Sequence, residues 1–152
     1  MPRAYFDLVP RFLDGPIYID ISRDEIERIL VQDKSFDRTF EDAETGVPFR
    51  ICIQQRSLHV ESVTLAILVH EVRVGGIDFE VKFEDVNKVR RRGWHKHVWN
   101  PVEEDADGWK VAIGCFDGVS DLGQWLIRAF KELRIHYSGK DYGEPTLQFD
   151  QG

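Results

Sequence analysis

The stretch that decides the fold is residues 58–84, which read LHVESVTLAILVHEVRVGGIDFEVKFE and favour β-strands throughout. Residues 77–84 alternate apolar and charged side chains, a period of two that is typical of a strand with one buried and one solvated face. Gly75 and Gly76 separate this part from the apolar residues before it. Strand-like runs on both sides of Gly-Gly predict a β-hairpin that turns at the two glycines, and we expect a bend near residues 62–64 in the first run.

Shorter strands are predicted on both sides of this stretch, because apolar residues alternate with polar ones between turn-forming clusters. Two of them form a second hairpin around a turn-rich, acidic loop, residues 100–108. The shorter strands are expected over residues 16–21, 49–54, 94–99, 109–116, 135–137 and 146–149.

Two amphipathic helices are predicted from the apolar periodicity. Ser22 is a suitable N-cap with a glutamate three residues later, so a helix is expected over residues 23–33. A wider apolar stripe predicts a second helix over about 120–134, capped by Ser120 or Asp117.

The order of the predicted elements points to one fold class. Residues 34–47 are polar and predict a loop, which Phe36 and Phe40 hold against the core. Strand, helix, several hairpin-linked strands, helix and short strands follow one another without the regular alternation of a parallel α/β fold. We therefore expect one domain, residues 1–152, of the α+β class, with a meandering antiparallel sheet and two helices packed on one face.

Cysteine usage and hydropathy indicate a soluble, cytoplasmic protein. Cys52 and Cys115 each lie in an apolar run and no CxxC pair is present, so we expect two reduced core residues. Residues 1–7 contain no apolar signal-peptide core. The longest apolar stretch, residues 64–70, is far shorter than the ~20 residues that a membrane-spanning helix needs.

Charge is distributed unevenly along the chain. The formal net charge is −7, yet residues 88–99 contain five lysines and arginines and no acid. Since this segment carries +5, the rest of the chain carries −12. An acidic body disfavours nucleic acid and anionic lipid, so the basic segment is the feature most indicative of a binding site.

Cations and aromatic residues interleave in this segment, a pattern typical of interfaces with proteins or with nucleic acid. We expect Trp94 and Trp99 to be its anchors. The alternative is a charged hairpin edge whose cations pair with the acids of residues 103–107. The candidate binding residues are Lys88, Arg90, Arg91, Arg92, Trp94, His95, Lys96, His97 and Trp99.

Two histidines in the segment, His95 and His97, are two residues apart and share one face of the predicted strand. With Arg92 they contain the residue types of an RNase-like acid–base site. A metal site would need a third ligand from His59, from His70 or from a carboxylate. No ligand spacing typical of zinc is visible, so we expect neither a bound metal nor a cofactor.

The sequence favours a binding protein over an enzyme, since no P-loop, serine nucleophile motif or calcium loop is present. The leading hypothesis is a non-catalytic macromolecule-binding protein of the inhibitor, immunity or accessory type, with a protein partner. The rival hypothesis is a nucleic-acid-binding protein or RNase-like enzyme that uses the same hairpin. No membrane partner is expected, and the sequence does not indicate the oligomeric state.

Overall fold

The structure is a computed structural model that describes residues 3–138. It confirms the α+β class, with an antiparallel sheet and helices, but the described part contains three helices where the sequence predicted two. None of these helices is long and apolar enough to cross a bilayer. The helices are α1 (Arg3–Asp14), α2 (Arg23–Asp33) and α3 (Leu122–Glu132), and a short 3-10 helix spans Val60–Ser62. The strands are β1 (Ile17–Ser22), β2 (Ser35–Glu41), β3 (Pro48–Gln55), β4 (Val63–Val69), β5 (Val72–Glu84), β6 (Arg90–His97), β7 (Lys110–Ala112) and β8 (Ile135–Ser138).

Six strands form an antiparallel sheet in the order β2-β3-β4-β5-β6-β7, so each strand pairs with its neighbour along the chain. This is the meander that the hairpin signals predicted. The first and last strands of the described residues, β1 and β8, pair parallel to each other in a separate two-stranded sheet. The predicted strand over residues 146–149 lies outside the described residues.

The N-terminal helix α1 was missed by the sequence reasoning. Its Val9 is fully buried and its Phe12 almost fully buried, and both residues belong to the core. Pro10 lies inside the helix, and a proline in a helix interior is a strong signal against helix. The helical spacing of Val9 and Phe12 was the signal that could have found it.

The other two helices lie where they were predicted, with one different cap. The hydroxyl of Ser22 accepts a hydrogen bond from the backbone N–H of Glu25 at 3.1 Å, as expected. The N-cap of α3 is Asp121, whose carboxylate accepts from the N–H of Gln124 at 2.9 Å. The predicted caps Ser120 and Asp117 are wrong, because Asp121 is the extended residue directly before the first helical turn.

The prediction of a loop over residues 34–47 is wrong for Ser35–Glu41, which form the edge strand β2. Phe36 and Phe40 are buried, as predicted, and the residues between them are exposed. An edge strand with one wet face carries many polar residues, which explains why this segment resembled a loop.

The first hairpin turns at His70 and Glu71, whose φ values are 50° and 68°, and the turn predicted at Gly75-Gly76 is wrong. Both glycines lie inside β5. Gly76 has φ 150°, and a Cβ there would lie 2.4 Å from the backbone oxygen of Leu65. Glycine is therefore required for close approach of two strands and not for a turn. The predicted bend near residues 62–64 corresponds to the short 3-10 helix before β4.

The second hairpin, β6–β7, was predicted, although β6 begins earlier, at Arg90, and β7 is shorter than expected. The core combines one face of the large sheet with residues of all three helices and of the β1–β8 pair. On β6, Trp94 packs against the edge of this core, which places the predicted site at the boundary between core and solvent.

Candidate functional site

Strand β6 divides the predicted binding residues between its two faces, because successive side chains of a strand point in opposite directions. Trp94 and Lys96 point towards α3, where the Lys96 Nζ lies 2.9 Å from Glu132 Oε2. His95 and His97 point to the other face and are buried. The nine residues do not form one surface, and the two histidines are not exposed.

Two of the predicted cations pair with carboxylates of the chain, although Arg91 keeps 45% of its side chain exposed. The Nε of Arg91 donates to Asp85 Oδ2 at 2.5 Å, and the pKa of Asp85 is held below its ordinary value mainly by this bond. Lys96 pairs with Glu132. The partners are therefore Asp85 and Glu132, and not the acids of residues 103–107 that the charged-edge alternative assigned.

Three further cations, Lys88, Arg90 and Arg92, are exposed as well. Within the described part of the chain none of the three forms an ion pair. The guanidinium carbon of Arg92 lies 5.5 Å from the ring centroid of Phe79, a cation–π distance. The positive charge of Arg92 thus faces solvent beside the aromatic pair Phe79 and Trp94.

Arg90 and Arg92, with Arg91 between them, line a groove of about 510 Å³, which we call the basic groove. Lys88 lies outside this lining. Trp94 and residues 116–119 also contribute to its lining. Glu61 also lines the groove, so the surface is basic with acidic points. Trp99 lies elsewhere, in a separate cavity of about 370 Å³, and does not anchor the same surface.

The indole of Trp94 is already packed by other rings. It meets Phe79 edge-on at 5.5 Å between centroids, and it lies 4.7 Å from Phe116 and 5.7 Å from Trp125. Its contacts make it a support for the groove wall, with limited ring surface left for a ligand.

The opposite face of β6 holds a polar cluster, which we call the histidine cluster: Asp78, Glu80, His95 and His97. His97 Nδ1 donates to the backbone oxygen of Ala106 at 2.9 Å, and its Nε2 lies 2.9 Å from Asp78 Oδ2. Burial would raise the pKa of Asp78, but the hydrogen bond from His97 and the charge of Arg73 outweigh it and lower that pKa.

His95 is the least satisfied residue of the histidine cluster. It is 0% exposed, neither ring nitrogen has a hydrogen-bond partner among residues 3–138, and its Nε2 lies 3.4 Å from Glu80 Oε1. Burial, with the positive charge of His97, lowers the pKa of His95 to about 4. Its ring contacts Phe83 at 4.3 Å between centroids.

Asp78 was missed by the sequence reasoning, which expected no metal and named a carboxylate only as one source from which a third ligand would have to come. One ligand atom from each of Asp78, His95 and His97 lies within 4.8 Å of the others. The pairing of Asp78 opposite His95 was the signal that could have found it. The sequence reasoning missed this pairing because it assigned β5 and β6 to different hairpins.

The acid–base constellation of His95, His97 and Arg92 is not assembled, because Arg92 lies on the Phe79 face of the hairpin. Cys52 and Cys115 are free and half-buried, and burial raises the pKa of both thiols. The chain matches no known protein-family model, no curated protein and no solved structure.

Proposed function

We propose that this chain is a non-catalytic binding protein, of the inhibitor, immunity or accessory type, whose basic groove takes an acidic segment of a protein partner. The observation that carries the proposal is the pair of exposed guanidinium groups, Arg90 and Arg92, which lack an ion pair within residues 3–138 and line the groove. The rest of the chain is acidic, so this positive surface is local.

The chemistry of the groove suits carboxylates. Arginine presents a planar fork of donors that binds a carboxylate through two parallel hydrogen bonds, and it is enriched at protein interfaces. The apolar wall of Phe79 and Trp94 lies directly beside the guanidinium groups. A segment that alternates acidic and apolar side chains would satisfy both parts of the surface.

The groove favours a protein segment over single-stranded nucleic acid for two reasons. Base stacking needs a free aromatic face, and the rings of Trp94 and Phe79 already contact other rings or Arg92. Glu61 and Asp117 line the same groove and would repel a phosphate backbone, which carries a negative charge at every nucleotide, whereas a peptide can place apolar side chains beside these two acids. Nucleic acid would then be held by phosphate contacts alone.

The absence of catalysis is part of the proposal. The histidines that were the candidates for acid–base chemistry, His95 and His97, are 0% and 4% exposed, so they do not reach a substrate in the groove. A cytoplasmic location is also proposed, supported by the two unpaired thiols Cys52 and Cys115.

Fluorescence anisotropy with labelled probes tests the proposal. The probes are Asp/Glu-rich peptides with interspersed apolar residues, their Lys-rich counterparts, and single-stranded DNA and RNA, each at low and at physiological salt. We expect binding of the acidic peptides only. Binding of nucleic acid instead, with log affinity falling linearly in log salt, would establish the rival function.

The variant pair R90Q/R92Q and R38Q/K131Q provides a matched control, because both remove two exposed positive charges. Arg38 lies on the edge strand β2 and Lys131 on α3, away from the groove lining. Two exposed charge contacts contribute roughly 1–2 kcal/mol of binding free energy together. The R90Q/R92Q variant should therefore bind acidic peptides with about 5- to 30-fold lower affinity. Equal losses in both variants, or no binding by any probe, would refute the groove as a site.

A further inference from the structure

We propose that Asp78, His95 and His97 form a binding site for one divalent transition-metal ion of the zinc type. The site lies on the face of β6 opposite the basic groove, so it does not depend on the proposed function. It also reverses the expectation from the sequence, which saw two histidines and no third ligand.

The sheet register brings the three ligands together. Asp78 on β5 is paired directly with His95 on β6, and His97 follows two residues later on the same face. One ligand atom of each residue lies within 4.8 Å of the others. Zinc binds nitrogen and oxygen ligands at about 2.0–2.2 Å, so ligand atoms around one ion are roughly 3–4 Å apart. Small side-chain rotations therefore close the site.

His97 is already oriented as a metal ligand. Its Nδ1 donates to the backbone oxygen of Ala106 at 2.9 Å, which fixes the ring and leaves Nε2 directed at Asp78 Oδ2. Metal-binding histidines almost always donate their other ring N–H to a carbonyl or a carboxylate in this way. An ion would replace the hydrogen between Nε2 and Oδ2.

His95 supplies the independent sign that a partner is missing. Its side chain is 0% exposed, and both ring nitrogens lack a hydrogen bond within the described structure. A buried polar group without a partner costs free energy, and few such groups occur in folded proteins. A metal ion bound to one ring nitrogen gives that nitrogen the partner it lacks.

The neighbouring charges leave room for the ion. Arg73 Nη2 contacts Oδ1 of Asp78, at 3.2 Å, which leaves Oδ2 for the metal. Glu80 lies 3.4 Å from His95 and is 43% exposed, so it marks the side from which an ion enters. Lys110 holds Glu80 at 2.8 Å and keeps it at the mouth of the cluster.

The ligand types select the metal. Two imidazoles and a carboxylate suit zinc, iron(II), cobalt and related ions, whereas magnesium and calcium require mostly oxygen ligands. An ion here would join β5 to β6 and, through Ala106, to the loop between β6 and β7. Binding to the folded state alone must raise the melting temperature.

The test uses the full chain without a histidine tag, freed of metal by a chelator that is then removed. Isothermal titration with Zn²⁺ measures stoichiometry and affinity, and Co²⁺ reports the coordination through its visible absorption. We expect one ion per chain, no heat with Mg²⁺, and a melting temperature about 5–10 °C higher at ~100 times the Kd.

His95→Phe is the decisive variant, because a phenyl ring fills the same buried position beside Phe83 and removes the ligand. Zn²⁺ affinity should fall more than about 100-fold, since even outer-shell changes cost 10–100-fold. Asp78→Asn, a change of nearly equal volume at a mostly buried carboxylate, should weaken Zn²⁺ binding to a similar extent. It replaces His95→Phe as the test if that variant does not fold. His59→Gln, at an exposed histidine outside the cluster, should bind as the wild type does.

The proposal is overturned if the wild type binds no Zn²⁺ stoichiometrically. It is equally overturned if a folded His95→Phe or Asp78→Asn protein binds Zn²⁺ as tightly as the wild type. Neither result would affect the peptide-binding test, because that test concerns residues on the other face of β6.

Discussion

Replacing His95 with phenylalanine should remove a specific part of the acid sensitivity of the metal-free protein. The imidazole is fully buried and its pKa lies at about 4 in the folded chain, against 6.5 for the ordinary group. In the unfolded chain the ring is solvated and has the ordinary value. The folded and unfolded states therefore bind different numbers of protons across this interval.

The direction of the effect follows from linkage. Between pH 6.5 and 4 the unfolded chain has a protonated His95 and the folded chain does not, so the unfolded state gains stability as pH falls. Below about pH 4 both states are protonated and the loss stops. Asp78 and Asp85 have pKa values below the ordinary 3.8, so their stabilising contributions are lost only at lower pH, as pH falls through their folded values.

The magnitude follows from the difference in pKa. One unit corresponds to 1.36 kcal/mol, so an interval from 6.5 to about 4 amounts to about 3 kcal/mol of unfolding free energy. This is a large fraction of the 5–15 kcal/mol typical of a domain. At neutral pH the variant should also gain roughly 1–3 kcal/mol, because it buries no unsatisfied nitrogen.

The assay is urea unfolding followed by tryptophan fluorescence at a series of pH values from 7.5 to about 4, with chelator present. The wild type should lose about 3 kcal/mol over this range beyond the loss seen for His95→Phe. His59→Gln, which changes an exposed histidine, should follow the wild type. Parallel pH profiles for the wild type and His95→Phe would refute the reasoning.

Two further predictions concern backbone geometry. Gly76→Ala should lower the free energy of unfolding by roughly 3 kcal/mol or more, because its Cβ would lie 2.4 Å from the Leu65 oxygen at φ 150°. Gly75→Ala should cost much less, because its Cβ meets Ile67 at an ordinary 3.5 Å. Equal losses in denaturant unfolding would contradict the assignment of Gly76 to close strand approach. Asp121→Ala should lower the melting temperature by about 2–4 °C, because it removes an N-cap that contributes about 1 kcal/mol. If Ser120→Ala lowers the melting temperature instead, the cap is misassigned.

The parts of the fold that were predictable from the sequence are those where one local signal dominates. Ser22 and the apolar periodicity located α2, and the alternation around β3 and β6 located those strands. The errors came from residues with two physical uses. Gly76 provides close approach between strands and not a turn, and Pro10 lies inside a helix whose other face is buried.

The candidate site was predictable as a segment but not as an arrangement. Residues 88–99 do contain exposed cations, yet a period of two necessarily sends alternate residues to opposite faces. The exposure of each face depended on α3 covering Trp94, a contact distant in the chain, and on the hydrogen bond from the His97 ring to the backbone of Ala106, nine residues further along the chain. These contacts leave the basic groove on one face of β6 and the histidine cluster on the other.

The most direct test of the central claim is a ¹H–¹⁵N NMR titration of the labelled chain with an Asp/Glu-rich peptide at low salt. We predict shifts of the Arg90 and Arg92 Nε–H signals, of the Trp94 indole N–H and of the backbone of residues 116–119, all of which line the groove. Unchanged spectra, or shifts confined to other parts of the chain, would contradict the proposal that Arg90 and Arg92 form a binding surface.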